Sequence, residues 1–469
     1  MKPILFRFLS IAIATALFII PFFWLKPGEM DLGGDSGRLY FYDPVAYLRS
    51  TMLYGIIPSG VGGAALSYFA IPFVSLLAVL HFFINSPTVL ISFVNGVKLS
   101  LAFFSFYLIV KELLILSLPS ARNKGAADAA AMLAGLVYIF IPSSVGGGWD
   151  RALLTHNQIF INPLMFYLFL RYFVTDAMVY FYLALLVTFI FSLNFSIASS
   201  PGFFAFFPLS VAFLLILRKS IMKKSIPYKE LFFGLIVFVL LQSFQILPHV
   251  LSLFSYGSGL NSLVFLDNSS STLRAGLNYF ESVASNIKLS LSLMNLPQGR
   301  YDDLLSLLYF VFPITVLLGY MRNKSKTYIY VGFFFLISMF FYTAKITDIG
   351  FAFYKALFRI PGFSMFRNFY GQWNYSFIFY YSLIVGFSFY ALALTVSRRK
   401  IYVLIVAIAT PMFFSAWPLV NGSIIRPIHH QSDNVPVAFQ MDPSFQQVLR
   451  TSIPNQTSAL LYLLLHDSI

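Results

Sequence analysis

The sequence predicts an all-α polytopic membrane protein. Of its 469 residues, 59% are hydrophobic and only 10% are charged, and the mean hydropathy is +0.80. A soluble domain of this length would carry far more charged surface. Apolar runs of about 20 residues, each long enough to cross the core of a bilayer, recur along the chain. The 56 phenylalanines suit surfaces that face lipid.

We expect about eleven transmembrane helices, of which the first is retained. The N-terminal run begins with basic residues as a signal peptide does, but it is long and no small-residue cleavage site follows it. We therefore interpret it as an uncleaved first span. The predicted spans cover residues 4–25, 88–110, 127–145, 157–174, 177–197, 202–217, 230–250, 303–320, 327–343, 374–396 and 401–419.

The connections between these spans alternate in charge, which predicts their orientation. One set of short connections holds 17 of the 31 lysines and arginines but only 4 of the 17 acids. Short basic connections face the cytoplasm. The N-terminus is therefore predicted to be cytoplasmic and the C-terminus extracytoplasmic, in a cell membrane. The basic excess indicates contact with anionic lipid and not with nucleic acid.

Two segments outside the spans need separate interpretation. The stretch 66–84, in the first outer loop (26–87), is long enough to cross the membrane. A helix lying at the outer interface fits the charge pattern better, because a crossing would put the basic residues near 111–124 outside. The tail 420–469 has the composition of a soluble segment, and its run 458–466 suits a buried strand. We therefore divide the chain into a membrane domain, 1–419, and a short C-terminal segment that packs on it or is incomplete.

The sequence excludes several kinds of chemistry. It contains no cysteine, so disulfides, thiolate metal sites and cysteine nucleophiles are absent. It also lacks a phosphate-binding loop, a GxSxG elbow, an HExxH helix and a dinucleotide-binding fingerprint. Candidate functional residues therefore have to be sought in the outer loops, where acidic residues and histidines gather.

The first candidate cluster is "MDLGGDSGRLYFYDP", residues 30–44, directly after the first span. Asp31 and Asp35 flank two glycines, which let the chain turn sharply, and Arg38 follows. A carboxylate at the edge of a low-dielectric site has a raised proton affinity, as a general base requires. The alternative is that these acids only solvate a loop.

The second cluster is "GGGWDRALLTHNQIF", residues 146–160, between two predicted spans. It brings Asp150, Arg151, His156 and Asn157 to one membrane surface. Such a set could bind a phosphate or a sugar. The alternative is a simple ion pair between Asp150 and Arg151 beside an interfacial tryptophan.

The third cluster is "FRIPGFSMFRNFYGQWNY", residues 358–375. Arg367 presents a planar fork that suits a phosphate, and aromatic side chains such as Trp373 stack on sugar faces. The alternative is a basic, aromatic anchor at the interface. Within a predicted span, Lys98 is a further candidate, since a lysine inside the membrane marks a functional site unless it extends to the surface.

Two of these stretches resemble known families. "GGDSGRLYFYDP" is similar to the first-loop acid motif of YfhO-like membrane proteins. "IPGFSMFRNFYGQW" is similar to a segment of those proteins and, less closely, of the AftD group of arabinofuranosyltransferases. The arrangement of a first helix, an outer loop with acids and many further spans resembles the GT-C superfamily of polyprenyl-phosphate-dependent glycosyltransferases. The resemblance covers most of the chain in layout but only these two motifs in residues.

The resemblance implies an inverting transfer of a sugar from a polyprenyl-phosphate donor to an extracytoplasmic glycan, lipid or protein. It assigns the catalytic acid to Asp35, with Asp31 and Asp150 as further acids. It matches Arg367 to the motif arginine at the donor phosphate. Lys98, Arg38 and Arg151 are candidate helpers there, and His156, Asn157 and Trp373 are candidate contacts to the sugar or acceptor. The chain lacks a closely spaced DxD pair, which argues against a divalent metal as cofactor.

A different class of function remains open. A flippase or another transporter of lipid-linked glycans would also be polytopic, and a scaffold for envelope assembly is a third interpretation. Transporters typically show repeated halves, paired broken helices and charges near the middle of the membrane. Here the ionisable residues gather in the outer segments, and Lys98 alone lies well inside a predicted span. The distribution of charge therefore favours the enzyme.

Overall fold

Helices make up nearly all of the chain that the computed structural model describes. The described residues are 3–31, 39–53, 56–57, 63–64, 70–117, 124–141, 144–145, 158–192, 201–247, 276–278, 280–281, 308–322, 325–343, 348–360, 363–423, 426–427 and 437–440. The helices are α1 (Pro3–Ile19), α2 (Pro44–Leu53), α3 (Ile71–Phe83), α4 (Pro87–Ser117), α5 (Lys124–Phe140), α6 (Gln158–Thr175), α7 (Met178–Ile190), α8 (Pro201–Ser220), α9 (Tyr228–Leu241), α10 (Val311–Arg322), α11 (Lys326–Thr343), α12 (Asp348–Leu357), α13 (Phe369–Thr395) and α14 (Arg398–Val420). The strands are β1 (Glu29–Asp31), β2 (Ile56–Ile57), β3 (Gly63–Ala64), β4 (Arg426–Pro427) and β5 (Val437–Gln440).

Several of these helices have the length and composition of membrane spans. Among the described residues, five helices are long and apolar enough to cross a membrane: Leu5–Phe23, Pro87–Ser117, Lys326–Thr343, Gly371–Thr395 and Arg399–Val420. Shorter apolar helices cover Ile71–Phe83, Ile159–Thr175, Met178–Ile190 and Val311–Arg322. Each of the eleven predicted segments overlaps a helix. How many of them cross the membrane stays a prediction.

The helix α13 forms the centre of the bundle. Along most of its length its side chains are buried. The ring of Phe379 on α13 packs against three other rings. These belong to Phe106 of α4, Phe166 of α6 and Phe206 of α8, at centroid distances of 5.3, 4.8 and 4.9 Å. Edge-to-face and tilted ring pairs at these distances stabilise a core beyond their buried area. Three helices from separate parts of the sequence are thus fixed around one ring.

Small residues allow the central helices to approach closely. A Cβ atom at Gly386 of α13 would lie 2.7 Å from the Cβ atom of Ala134 on α5. A Cβ atom at Gly135 would in turn lie 2.9 Å from the ring of Phe103 on α4. Glycine and alanine at helix contacts let backbones pack tightly where lipid supplies no hydrophobic drive. The alanine-rich sequence of α5 therefore suits its place between α4 and α13.

Contacts between α1 and α4 show how the chain passes through the first outer loop. The ring of Phe18, near the end of α1, lies 5.7 Å from that of Phe93, near the start of α4. The hydroxyl of Thr88 donates a hydrogen bond to the backbone oxygen of Glu29 at 2.5 Å. The two helices are therefore antiparallel, and the chain enters and leaves residues 30–86 at the same end of the bundle. This arrangement favours the interfacial interpretation of 66–84, because one crossing there would separate Glu29 from Thr88.

Ion pairs join the opposite end of α4, which is predicted to face the cytoplasm, to α5 and α6. Lys111 of α4 lies 2.6 Å from a carboxylate oxygen of Asp128 on α5. Its neighbour Glu112 pairs with Arg171 of α6 at 3.0 Å. Charged residues from the ends of α4, α5 and α6 thus meet at one end of the bundle. This agrees with the prediction that the basic connections lie on the same face of the membrane.

A third set of charges fixes two turns at this end. Asp176 has a left-handed φ of 58° between α6 and α7. Its carboxylate accepts a hydrogen bond from Lys224 at 2.6 Å and pairs with the buried Arg218 at 2.7 Å. The hydrogen bond from Lys224 is the main cause of the lowered pKa of Asp176, and Arg218 adds to it. Because the pKa is lowered in the folded state, this stabilisation is present at neutral pH and is lost as the pH falls through that pKa.

The buried pair at the end of α4 leads to a test of stability. Asp128 is 1% exposed, and Lys111 and the hydroxyl of Tyr107 are its partners, the latter at 2.9 Å. Lys111→Met removes the cation and leaves a buried carboxylate. We expect a loss near the lower end of about 3–5 kcal/mol, because the lysine is itself partly exposed. Unfolding of the purified protein by titration with SDS measures this loss.

The double variant Lys111→Met/Asp128→Asn serves as the control for this pair. Tyr107 can still donate to the asparagine oxygen, and no charge is left buried. The double variant should therefore be more stable than Lys111→Met alone. Equal stability of the two would contradict a role for the buried charge.

The predicted orientation can be tested with reporter fusions. A reporter placed after Lys224 lies beside the ion pairs of Asp176 and is expected to read cytoplasmic. One placed after Asn421, at the end of α14, is expected to read extracytoplasmic. Alkaline phosphatase and a fluorescent protein give opposite signals in the two compartments. The reverse pattern at both positions would invert the predicted topology.

A small sheet joins the C-terminal segment to the stretch that follows α1. Its strand order is β1-β5-β4, with Met30 opposite Phe439 and Asp31 opposite Ala438. The indole N–H of Trp24 also donates to the backbone oxygen of Leu419 at 2.6 Å. Residues far apart in sequence therefore meet beside the first candidate cluster. The division into domains at 419 stays a prediction.

The register of this sheet can be tested because the chain contains no cysteine. Cysteines introduced at Met30 and Phe439 occupy facing positions, about 4.5–5.5 Å apart at Cβ in antiparallel strands. A short bifunctional thiol reagent should join them efficiently. Cysteines at Met30 and Ala438 are the control, because a shift of one residue moves a side chain to the other face of the sheet. Equal cross-linking of the two pairs would contradict the register. A mass shift after proteolysis gives the readout.

Candidate functional site

The third sequence cluster lies in an aromatic cluster formed by α12, α13 and the end of α11. At its centre is Tyr354 of α12. Its hydroxyl donates to the backbone oxygen of Phe366 at 2.8 Å and accepts from the indole N–H of Trp373 at 3.2 Å. Burial raises the pKa of Tyr354 well above its usual value, so the hydroxyl stays protonated and keeps both bonds. The tyrosine thereby connects α12 to the segment that carries Arg367.

Trp373 is packed inside this cluster. It is 7% exposed, and its indole stacks on Phe341 of α11 with centroids 4.3 Å apart. Phe366 lies 5.5 Å away from it. In this structure the indole is thus held by aromatic neighbours. Its predicted contact with a sugar stays a prediction.

Arg367 ends the 3₁₀ turn Phe363–Arg367, directly before α13. Its side chain is half-buried. The next residue, Asn368, caps α13: its side-chain oxygen accepts a hydrogen bond from the backbone N–H of Gly371 at 3.4 Å. Arg367 therefore stands at the positive end of a long helix, where an anion is electrostatically favoured.

Lys98 is the most deeply buried of the candidate residues that the structure describes. It is 2% exposed and lies on α4, about three turns from the start of the helix. Its ammonium nitrogen is 5.6 Å from the ring centroid of Phe73 on α3 and 6.0 Å from that of Phe160 on α6. A lysine at this distance is attracted by the negative faces of aromatic rings. Lys98 thus does not extend to the surface.

The surroundings of Lys98 contain a second polar group. Asn95 lies one turn earlier on the same face of α4 and is 4% exposed. Its side-chain nitrogen has no hydrogen-bond partner among the described residues. Buried polar atoms are nearly always satisfied, so an unpartnered one marks a place where a ligand or water can bind.

This position on α4 is where two outer segments meet. Phe73 belongs to the first outer loop, and Phe160 lies three residues after Asn157, at the end of the second cluster. The first cluster begins directly after Glu29, to which Thr88 bonds. Thr88 lies ten residues before Lys98, or about 15 Å along the axis of α4. The structure therefore brings the neighbours of the first and second clusters to the N-terminal half of α4.

The remaining candidates are only partly covered by the described residues. Asp31 lies in β1, where its backbone is paired with Ala438. Six candidates fall outside the described residues: Asp35, Arg38, Asp150, Arg151, His156 and Asn157. Among the residues that are described, no group of three histidine, aspartate or glutamate side chains could hold a metal ion. The proposed roles of these six candidates therefore rest on the sequence.

Sequence reasoning missed four side chains that contribute to the surroundings of Lys98 and to the aromatic cluster. Asn95 could have been found from its spacing of three residues from Lys98, which places both on one helical face. Phe73 and Phe160 could not, because they come from segments separated from Lys98 by a turn and by a whole helix. Tyr354 in the aromatic cluster had no distinguishing signal in a chain with 28 tyrosines.

Comparison with solved structures places this fold among known proteins. The chain superimposes on the arabinofuranosyltransferase AftD from Mycobacteria with a TM-score of 0.54 and 11% identity, over 94% of this chain and 28% of AftD. Two structures of the Archaeoglobus fulgidus oligosaccharyltransferase match with a TM-score of 0.45 and 12% identity. One is the apo form, covering 98% of this chain, and the other is AglB with an inhibitory peptide and a dolichol-phosphate, covering 97%.

These likenesses define what the chain shares with known proteins. It has the fold of part of AftD, and it spans little more than a quarter of that protein and 59% of each oligosaccharyltransferase chain. No protein-family model matches the sequence, and no curated protein matches it significantly. The predicted resemblance to the AftD group is thus confirmed in fold. The resemblance to YfhO-like proteins stays a prediction.

Proposed function

We propose that this protein is a glycosyltransferase that moves a sugar from a polyprenyl-phosphate donor to an acceptor outside the cell membrane. The observation that carries the proposal is the polar site on α4, where buried Lys98 lies beside aromatic rings and the neighbouring Asn95 has a side-chain nitrogen with no hydrogen-bond partner in the described part of the chain. A protonated lysine and an amide N–H are donors suited to a phosphate, and aromatic and aliphatic walls suit a polyprenyl chain.

The position of this site supports a donor that is tethered in lipid. Lys98 lies within a helix long enough to span the membrane, in its half nearer to the first outer loop. A lipid-linked phosphate would lie at that level, with its sugar directed toward the outer loops. Such a donor needs no soluble nucleotide-binding domain, which agrees with the absence of phosphate-binding motifs from the sequence.

The proposed reaction uses acids of the outer loops. Asp35 accepts the proton of the acceptor hydroxyl, whose oxygen attacks the anomeric carbon of the donor sugar. The bond between that carbon and the phosphate oxygen breaks, and polyprenyl phosphate leaves with the electron pair. Asp31 and Asp150 are further candidates for the base. Lys98 and Arg367, with Arg38 and Arg151 as helpers, stabilise the charge that develops on the phosphate.

Contacts to the sugar and the acceptor complete the proposal. His156 and Asn157 belong to the second cluster and precede Phe160, which lines the site of Lys98. They are therefore proposed to hydrogen-bond the sugar or the acceptor, with Trp373 as an aromatic contact. A closely spaced DxD pair is lacking, and the reaction as written involves no metal ion.

The test is a transfer reaction with purified protein. Radiolabelled polyprenyl-phosphate sugars, both hexoses and pentoses, are incubated in detergent micelles or nanodiscs with a panel of glycan, lipid and peptide acceptors. Appearance of label in an acceptor, with release of polyprenyl phosphate, supports the proposal. In proteoliposomes, movement of the donor across the bilayer without transfer would support the transporter instead and overturn it.

A further inference from the structure

The helix α12 has an outward face that no described part of the protein covers. Ile349 is 82% exposed and Phe353 is 50% exposed, one turn apart on the same side. Tyr354 and Phe358 lie on the opposite side and are buried in the aromatic cluster. Asp348 and Lys355 occupy the edge between the two faces. The helix therefore has a face packed on protein, an exposed apolar stripe and a charged border.

The apolar stripe continues onto the lipid-facing side of α11. Phe353 packs edge-to-face on Phe340 of α11, with ring centroids 5.8 Å apart. Phe340 follows Phe333 and Leu336 along one side of α11, and these two are each 54% exposed. A helix long enough to span the membrane exposes such residues to lipid. Thus the stripe on α12 is continuous with the exposed apolar side of α11, which is the side expected to contact acyl chains.

The length and charge of α12 indicate a position at the membrane interface and not in the membrane interior. Ten residues of helix span only about 15 Å, too short to cross a hydrocarbon core of about 30 Å. Lys355 pairs with Glu281 at 2.5 Å, and Arg359 beyond the helix is exposed. Charges on one border and apolar side chains beside them are typical of a helix that lies in the plane of the membrane surface.

We propose that α12 lies in the outer membrane–water interface with Ile349 and Phe353 among lipid acyl chains. Its partner is the outer leaflet of the bilayer that surrounds α11. Through Tyr354, which bonds to Phe366 and Trp373, the helix fixes the height of the segment carrying Arg367 relative to the lipid headgroups. The proposal depends on the position of α12 and not on the transferase reaction.

Spin labelling of single cysteines tests this placement, since the chain has no cysteine of its own. Ile349→Cys and Phe353→Cys probe the stripe in the full-length protein reconstituted in phosphatidylcholine–phosphatidylglycerol vesicles. Asp348→Cys on the charged border and Phe333→Cys on the lipid-facing side of α11 are the matched controls. Collision with oxygen reports lipid, and collision with a water-soluble nickel chelate reports solvent.

We expect labels at Ile349 and Phe353 to behave as the label at Phe333 does, with high accessibility to oxygen and several-fold lower accessibility to nickel than at Asp348. Nickel accessibility equal to that at Asp348 would place the helix above the membrane and overturn the proposal. Low accessibility to both reagents would show that protein covers the stripe, which overturns it as well. The use of two positions guards against a local disturbance at either one.

Discussion

Asp35→Asn is expected to abolish sugar transfer while leaving the fold and the binding of the donor nearly intact. The amide has almost the same shape as the carboxylate but cannot accept the proton of the acceptor. Loss of a general base typically lowers the rate by about 10²–10⁴. The measurement is the initial rate of transfer at saturating donor, with SDS titration and donor binding as checks on the folded state.

Asp31→Asn and Asp150→Asn are the matched controls for Asp35. The resemblance assigns the base to Asp35, so each control should cost less activity. The backbone of Asp31 pairs with Ala438 in the sheet. Asp31→Asn therefore also tests whether the carboxylate of Asp31 contributes to the stability of β1. Full activity in Asp35→Asn with either control inactive would transfer the role of base to that residue. Full activity in all three would remove the case for acid–base catalysis by these aspartates.

The positions of the helices were predictable from the sequence because the physical requirement is simple. A segment that crosses a bilayer needs about 20 apolar residues with its backbone satisfied internally, and both properties are visible in the residues. All eleven predicted segments overlap a helix. The boundaries were less predictable: α13 begins at Phe369 and not near residue 374, because Asn368 caps it and Trp373 packs on Phe341.

The helix α12 shows why short elements are harder to predict. The predicted spans end at residue 343 and resume at residue 374, so α12 falls in a stretch to which the sequence analysis assigned no helix. Ten residues rarely form a stable helix by themselves, so α12 depends on tertiary packing. That packing comes from Phe280, stacked 4.9 Å from Tyr354, and from Phe363 and Phe369. These partners are distributed over some 90 residues of sequence.

In the candidate site, too, some residues could be predicted from the sequence and others could not. A lysine within an apolar span is conspicuous in any sequence, so Lys98 was found directly. Its aromatic neighbours Phe73 and Phe160 were not, because their proximity depends on how α3 and α6 pack on α4. The acids of the outer loops were found by composition, while their roles depend on the resemblance to known families.

Lys98→Met is expected to weaken the use of the donor without unfolding the protein. Methionine keeps most of the length and packing of the side chain but removes the ammonium group. A hydrogen bond to a charged group is worth about 1.5–3 kcal/mol, so the KM for the donor should rise by about 10- to 100-fold. Lys98→Arg should not restore activity, because the larger guanidinium overpacks the space between Phe73 and Phe160.

Lys111→Met on the same helix is the matched control for Lys98→Met, since both exchange a lysine of α4 for methionine. Lys111 pairs with Asp128 at the opposite end of α4, more than three turns from Lys98. It should therefore lower the free energy of unfolding and leave the KM for the donor unchanged. Lys98→Met should show the opposite pattern, with a raised KM and a smaller loss of stability. If Lys98→Met instead lowers stability as much as Lys111→Met and leaves the KM unchanged, then Lys98 is a structural charge, and the donor phosphate binds elsewhere.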